Sequence, residues 1–212
     1  ILTNHLTRLQ SSAQGPNNIS QPHTSSANHS SRSIGALTKR MLATSDNVYA
    51  ESLYLNSANT LHMLNSSPAK TSHDISSWLA ANHPKLQLPT SWQEGSGLSY
   101  YKNATPTQMA SAINTILIEP KLRHTIGDSL PTAGKSGTLS GAFHNSPITG
   151  KLHAKTGGLK NFSGIAGYLE CQGKPRWTIV GMDYSAQQTK KERHLNIENI
   201  INSLATDLDY SN

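Results

Sequence analysis

The sequence predicts an α+β fold in which an antiparallel sheet lies toward the C-terminus. Two apolar runs, at 165–171 and 177–184, are separated by Gln-Gly-Lys-Pro at 172–175, a pattern typical of a β-hairpin. A further strand is predicted at 151–160, directly before the hairpin. The final segment, 190–208, has apolar residues at helical spacing and is predicted to pack across this sheet.

The packing face of this last helix is predicted from its apolar stripe. Such a stripe is typical of a helix that covers a sheet, so we favour core packing over membrane or partner binding. The residues of the stripe are Leu195, Ile197, Ile200, Ile201, Leu204 and Leu208.

Upstream of the sheet, the chain is predicted to be mainly helical. Thr105 followed by Pro106 indicates a helix start, because threonine caps free N–H groups and proline fits the first helical position. The polar residues at 65–72, which include Pro68, are predicted to separate two helices. The predicted helices are 34–44, 47–64, 73–81, 106–117 and a short one within 121–127.

The length and composition predict one folded domain preceded by a linker. A chain of 212 residues fits one domain or a large part of one. Residues 10–33 are rich in Ser, Asn, Gln and His and contain almost no apolar side chains, so they cannot bury enough surface to fold alone. We therefore expect a linker or mobile loop at 1–33 and a domain at 34–212.

Charge and histidine content point to no particular partner or metal. The formal net charge of +6 would suit an anionic polymer, but a mild basic balance is weak support for any partner. We find no nucleic-acid motif and expect no nucleic-acid partner. The 10 histidines form no metal-ligand spacing, so we expect neither a metal nor another cofactor, and we place His153 at the surface.

One polar triplet, Ser45, Asp46 and Asn47, lies at the predicted junction of two helices. All three residue types can cap a helix start, because their side chains accept hydrogen bonds from free backbone N–H groups. A capping role is therefore the simplest interpretation of the triplet. It is compatible with a catalytic role for Ser45 and Asn47.

A second motif, Lys155, Thr156, Gly157 and Gly158, lies at the end of the first predicted strand. A lysine supplies fixed positive charge for an anionic substrate, and a neighbouring hydroxyl can bond the same carboxylate. A glycine has no Cβ, so a substrate backbone can lie against the strand edge. Alone, this short motif is also compatible with a solvated lysine before a turn.

Taken together, these motifs resemble those of penicillin-recognising serine enzymes, in which Ser-x-Asn precedes Lys-Thr-Gly. The stretches 94–106 and 130–139 resemble sequences of the class C low-molecular-mass penicillin-binding proteins, which are D-alanyl-D-alanine carboxypeptidases and endopeptidases. The motifs keep the family's order over most of residues 30–205. The resemblance implies a β-lactamase/transpeptidase-like fold, with this chain as its C-terminal part and the loop 130–150 beside the site.

The chain departs from the family pattern at four positions. These changes bear on fine specificity more than on fold. They are Glu94 for Asp, Tyr100 for Arg, Ser136 for Asp, and Gly158 where Thr or Ser is usual.

The resemblance implies three catalytic residues. Ser45 would relay a proton toward the leaving amine, and Asn47 would bond the backbone amide of the substrate. Lys155 would hold Ser45 and add positive potential. Although 110 positions separate Ser45 from Lys155, the fold requires Ser45 Oγ and Lys155 Nζ to lie within about 4 Å of each other.

It also implies three substrate-binding residues. Thr156 would bind the terminal carboxylate, and Gly157 would let the substrate backbone approach. The N–H group of Gly158 would be one of two oxyanion donors. Strand alternation points the side chains of Lys155 and Thr156 to opposite faces, so both can serve one site only along the strand edge.

The nucleophile of this family lies in a Ser-x-x-Lys motif that precedes Ser-x-Asn. A Ser-x-x-Lys at 67–70 comes after Ser45, in the predicted polar break. We therefore favour a nucleophile upstream of Ile1, in a missing N-terminal part of the same protein, and keep Ser67 as the alternative.

The resemblance implies a periplasmic enzyme of the bacterial cell envelope. Its expected partners are a peptidoglycan stem peptide or cross-bridge, β-lactam antibiotics and the missing N-terminal part. Two alternatives stay open: a β-lactamase-related hydrolase, and a non-catalytic cell-wall-binding protein on the same fold.

Overall fold

The computed structural model describes residues 32–89, 92–99 and 104–207. The predicted linker at 1–33 falls almost entirely outside these residues, so the division into linker and domain stays a prediction.

Within these residues the chain forms helices and one antiparallel sheet, and the α+β prediction is confirmed. The helices are α1 (Ile34–Thr44), α2 (Asn47–Thr60), α3 (Pro68–Asn82), α4 (Pro106–Ile118), α5 (Pro120–Thr125) and α6 (Lys190–Asp207). The strands are β1 (Leu152–Leu159), β2 (Phe162–Cys171) and β3 (Lys174–Tyr184), in the order β1-β2-β3.

The hairpin between β2 and β3 is tighter than predicted. Only Gln172 and Gly173 form the turn, with φ of 51° and 73°. Two successive residues with positive φ are typical of a two-residue turn whose twist matches that of the strands. Lys174 and Pro175, predicted in the turn, are instead the first residues of β3.

In the middle of the sheet, β2 is buried on both faces, since all residues from 163 to 169 are buried. Ile165 and Leu169 belong to the apolar cluster that includes Ile197 and Ile201 of α6. Ala166 and Tyr168 point to the other face, where their cluster contains Leu42 of α1 and Ile113 of α4. The sheet is therefore packed between α6 on one side and α1 with α4 on the other.

β1 lies at an edge of the sheet, and its outer side is partly covered. The segment 131–133 bonds to Leu152 and Ala154 through two backbone hydrogen bonds of 2.9 Å. Alternate residues of a strand direct their N–H and C=O groups to the same side. Thr156 and Gly158 therefore present their backbone groups to this outer side as well, beyond the end of the covering segment.

The predicted packing face of α6 is only half right. Ile197 and Ile201 are buried, but Leu195, Ile200 and Leu204 are 52%, 60% and 55% exposed. Leu208 lies outside the described residues. The buried stripe follows steps of four residues, which place Arg193 in line with the two isoleucines and exclude Leu195. Its members are Arg193, Ile197, Ile201 and Ala205.

Arg193 is fully buried in α6. Its guanidinium group donates hydrogen bonds to the carbonyl oxygens of Ser185, Gln188 and Lys160. These bonds offset part of the cost of removing the cation from water. They also tie α6 to the β1–β2 turn and to the loop after β3.

The polar break predicted at 65–72 lies earlier in the chain, at 61–67, because α3 already begins at Pro68. Ser67 caps this helix, and its side chain accepts a hydrogen bond from the Lys70 N–H group. Proline at the first helical position needs no hydrogen-bond acceptor. The helix before the break ends at Thr60, earlier than predicted.

His153, predicted at the surface, is instead half-buried. Its ring stacks on Tyr168 with centroids 4.9 Å apart, and its Nδ1 lies 3.2 Å from Thr132 Oγ1. Its Nε2 lies 3.4 Å from the Glu170 carboxylate. Burial is the main cause that lowers the pKa of His153, and the Glu170 carboxylate opposes it.

We predict that Gly167→Ala destabilises the protein by about 3 kcal/mol, because overpacking a core strains the neighbouring backbone. A Cβ at this position would lie 2.0 Å from the carbonyl oxygen of His153. Urea unfolding of the intact protein measures the change. The control is Gly141→Ala, whose Cβ meets nothing within 4 Å. Equal stability of the two variants would contradict the close approach of β1 and β2.

Candidate active site

Ser45 lies between α1 and α2 in a left-handed conformation, with φ of 56°. Asp46 is the N-cap of α2, and its carboxylate accepts hydrogen bonds from the N–H groups of Val48 and Tyr49. The capping interpretation of the triplet therefore applies to Asp46. Ser45 is left free to direct its hydroxyl elsewhere.

The hydroxyl of Ser45 meets Lys155 of β1. Lys155 Nζ donates hydrogen bonds to Ser45 Oγ at 2.9 Å and to the Thr156 carbonyl oxygen at 2.8 Å. The predicted approach of Ser45 and Lys155 within about 4 Å is confirmed. Burial lowers the pKa of Lys155, and the positive charge of Lys190 lowers it further.

Thr156 lines the same cleft as Lys155, although their side chains point to opposite faces of β1. Both can do so because β1 is an edge strand, which is the condition that strand alternation set for a shared site. Thr156 Oγ1 donates a hydrogen bond of 3.0 Å to Thr138 Oγ1. Thr138 lies in a short 3₁₀ turn at Gly137–Leu139, so the loop 130–150 does reach the site.

Gly157 and Gly158 form the end of the open edge of β1. Both are exposed, and a Cβ at Gly157 would meet no atom within 4 Å. A Cβ at Gly158 would lie 2.8 Å from Lys190 Cε. The two glycines therefore differ: one faces open space, and the other makes room for a lysine of α6.

A loop after α3 forms the opposite wall of the cleft. The Glu51 carboxylate of α2 accepts hydrogen bonds from the N–H groups of Gly95 and Ser96, at 2.8 and 3.1 Å. Glu94 accepts from the hydroxyl of Ser96 and the N–H group of Ser99, both at 2.6 Å. Ser96, in the stretch that resembles the family pattern, is thereby held at the cleft.

The cleft has a volume of about 520 Å³. Among the described residues that line it, the charged and titratable ones are Asp46, Lys155, Lys190 and His194, and the Asp46 carboxylate is engaged in capping α2. Asn47 also lines the cleft. The Ser45 hydroxyl, which is bonded to Lys155, can move a proton, and the outward N–H group of Gly158 can bind an anion.

Sequence reasoning missed Lys190 and His194. The first turns of α6 were interpreted only as part of a packing helix, and no local pattern shows that they face β1. Burial is the main cause that lowers the pKa of His194, and a hydrogen bond to the Gly157 backbone opposes it. Lys190 and His194 are four residues apart, so their side chains lie on one face of α6. This spacing is the only sequence signal that could have indicated them.

The alternative nucleophile Ser67 does not reach this cleft. Its hydroxyl caps α3, and Lys70 Nζ forms an ion pair with Asp74 at 2.9 Å. A second Ser-x-x-Lys, at 99–102, was overlooked in the sequence; its residues 100–102 lie outside the described part.

Metal ligation and membrane crossing find no support in the described ranges. Across 32–89, 92–99 and 104–207, no His, Cys, Asp and Glu side chains are grouped to hold a metal ion. In this same portion, no helix is long and apolar enough to cross a membrane.

The chain matches a known protein family over almost its whole length. The family described as D-Ala-D-Ala carboxypeptidase 3 (S13) matches residues 9–207. The chain belongs to this family. The predicted resemblance to low-molecular-mass penicillin-binding proteins and the predicted fold are confirmed.

Individual relatives agree with the family. The chain is 33% identical to penicillin-sensitive carboxypeptidase A of Dictyostelium discoideum over 60% of its length and 24% of the relative. It is 29% identical to D-alanyl-D-alanine carboxypeptidase DacB of Haemophilus influenzae over 68% of its length and 30% of the relative. The chain thus spans less than a third of these two proteins.

Solved structures show the same fold. Penicillin-binding protein 4 of Haemophilus influenzae, in complex with a β-lactam, matches with a TM-score of 0.69 at 25% identity. The match covers 80% of this chain and 41% of that protein. A predatory endopeptidase of Bdellovibrio bacteriovorus matches in fold, with a TM-score of 0.61 at 21% identity over 82% of this chain and 43% of that one.

We predict that Glu51→Ala releases the loop at Gly95 and Ser96. Loss of a charged acceptor costs roughly 1.5–3 kcal/mol per bond, so exchange of these two amides should accelerate about tenfold or more. Amide hydrogen exchange followed by NMR measures this. Glu119→Ala, which removes a carboxylate outside the cleft lining, should leave both amides unchanged; unaltered exchange in Glu51→Ala would show that the bonds do not hold the loop.

Proposed function

We propose that the cleft is part of a serine-type D-Ala-D-Ala carboxypeptidase/endopeptidase site that acts on peptidoglycan stem peptides or cross-bridges. The observation that carries the proposal is the 2.9 Å hydrogen bond from Lys155 Nζ to Ser45 Oγ, which joins two motifs 110 positions apart. Family membership supports the choice of reaction.

The proposed reaction proceeds through an acyl-enzyme. A serine hydroxyl attacks the carbonyl carbon of the D-Ala-D-Ala amide bond, which forms an ester and releases the terminal D-Ala as an amine. The lysine of the Ser-x-x-Lys motif accepts the proton of the attacking hydroxyl and returns it through Ser45 to the departing nitrogen, while Lys155 orients Ser45. Water then hydrolyses the ester and restores the serine.

The substrate would lie along the open edge of β1. Its terminal carboxylate is bound by the Thr156 hydroxyl in the positive potential of Lys155, and Asn47 bonds its backbone amide. Gly157 lets the backbone approach. The Gly158 N–H group points to the outer side of β1, where it can stabilise the oxyanion of the tetrahedral intermediate.

The nucleophile is proposed to come from a Ser-x-x-Lys segment outside this chain. Ser67 serves as a cap and does not line the cleft. The proposal includes a periplasmic location, binding of β-lactams as substrate mimics, and assembly of the site with an N-terminal part of the same protein. A missing serine next to Lys155 and Ser45 would complete the proton path.

We predict that residues 1–212 alone form no covalent adduct with a fluorescent penicillin, whereas the intact protein does. The reason is the absence of the proposed nucleophile from this chain. Gel fluorescence and mass spectrometry measure the adduct. Labelling of the isolated chain that is lost in Ser67→Ala or Ser99→Ala would overturn the upstream nucleophile.

The same experiment separates the alternatives. An adduct that is stable over hours, with release of D-Ala from a stem peptide, supports the peptidase. Rapid loss of the adduct with turnover of penicillin would indicate a β-lactamase instead. Binding to cell-wall sacculi without any adduct would indicate a non-catalytic wall-binding protein.

We predict that Ser45→Ala lowers the acylation rate of the intact protein by about 10²–10⁴, the range of general acid–base contributions. The control, Ser140→Ala, alters an exposed serine outside the cleft lining and should acylate normally. Stopped-flow measurement of penicillin acylation reports both rates. A Ser45→Ala rate within a fewfold of that of the unaltered protein would remove Ser45 from the mechanism.

A further inference from the structure

Lys190 occupies an unusual place for a solvent-facing lysine. It is the first residue of α6, a helix of 18 residues, and its side chain lines the cleft. The start of a helix carries a partial positive charge, so a lysine is disfavoured there. The acidic residue of the first turn, Glu192, caps the helix start, where its carboxylate accepts hydrogen bonds from the N–H group and hydroxyl of Thr189.

The end of the Lys190 side chain lies close to the backbone of Gly158 in β1. A Cβ at Gly158 would lie 2.8 Å from Lys190 Cε and 3.3 Å from its Nζ. Lys190 therefore fills the space above Gly158 that another residue's side chain would need. At Gly157, one position earlier, the corresponding space is open.

The charges of the cleft are unbalanced. Lys155 and Lys190 contribute two ammonium groups, and among the described residues no carboxylate forms an ion pair with either one. Asp46 is the only acidic residue that lines the cleft within the described part of the chain, and its carboxylate is bonded to backbone N–H groups of α2. Burial is the main cause that lowers the pKa of Lys155 and of His194, and repulsion from Lys190 lowers both further. Two like charges held together without a counter-ion favour the binding of an anion.

We propose that Lys190 is a specificity-determining residue that binds the carboxylate of the substrate, and that Gly158, which has no Cβ, lets the end of the Lys190 side chain stay at this position. The ligand class is a carboxylate anion presented along the open edge of β1. The inference rests on the proposed peptidase function for the identity of the substrate, but the binding of a simple carboxylate does not depend on catalysis.

The test compares two small probes, N-acetyl-D-alanine and its uncharged amide. In the intact protein, Lys190→Gln should weaken the binding of the carboxylate probe about tenfold and leave binding of the amide unchanged, because one charge-assisted contact is lost. The matched control is Lys191→Gln, which removes an exposed charge outside the cleft lining. NMR titration measures both affinities.

A double-mutant cycle tests the link with Gly158. Gly158→Ala should weaken the binding of the carboxylate probe, because the new Cβ displaces Lys190. The effect of Gly158→Ala should therefore largely disappear in the Lys190→Gln background. Gly157→Ala, whose Cβ meets nothing within 4 Å, should show no such coupling with Lys190. Equal coupling for both glycines would overturn the proposed role of Gly158.

The ionisation of Lys155 provides a further readout. Removing the neighbouring charge in Lys190→Gln stabilises the protonated form of Lys155, so the pKa of Lys155 should rise. The loss of peptidase activity at alkaline pH should then move to higher pH. NMR titration of the Lys155 side chain follows the same change without substrate.

The outcomes distinguish the two proposals. Carboxylate binding in Lys190→Gln within twofold of the unaltered protein, or an equal loss in Lys191→Gln, overturns the role of Lys190. A different result is that Lys190→Gln selectively weakens binding of the carboxylate probe while the intact unaltered protein is neither acylated by penicillin nor releases D-Ala. That result supports the carboxylate site and overturns the peptidase proposal.

Discussion

The burial of β2 on both faces is the constraint on which the site depends. Helices α1 and α4 pack on one face of this strand and α6 on the other, and β1 pairs along its side. Three parts of the cleft are therefore fixed to the same strand. The α1–α2 junction brings Ser45, the edge of β1 brings Lys155, and the start of α6 brings Lys190 to one place.

The site is held in a conformation that costs stability. Ser45 has a positive φ, which is unfavourable for a residue with a Cβ. Lys155 is partly removed from water and faces a second cation, both of which lower its pKa. The hydrogen bonds of Lys155 to Ser45 and Thr156 offset part of this cost. Strain and perturbed pKa values of this kind concentrate at functional sites.

How well the sequence predicts a feature depends on how far apart in the chain the interacting residues lie. The cap at Thr105, the hairpin and the motif strand are local signals, and each was located to within a few residues. The convergence of Ser45 and Lys155 came from the family resemblance, because no local pattern joins them. The exposure of Leu195 and the burial of His153 depend on which neighbours pack against them. Lys190 was missed for the same reason, since a lysine at a helix start looks solvated until the facing strand is known.

The buried Arg193 has a consequence for how the site opens. Its guanidinium group holds carbonyl oxygens of both the β1–β2 turn and the loop after β3. If either segment detached alone, a buried cation would lose partners, which is energetically costly. Both segments and the first turns of α6 should therefore unfold as one cooperative unit. Lys190 and His194 belong to that unit, so this wall of the cleft is either fully formed or absent and does not fray residue by residue.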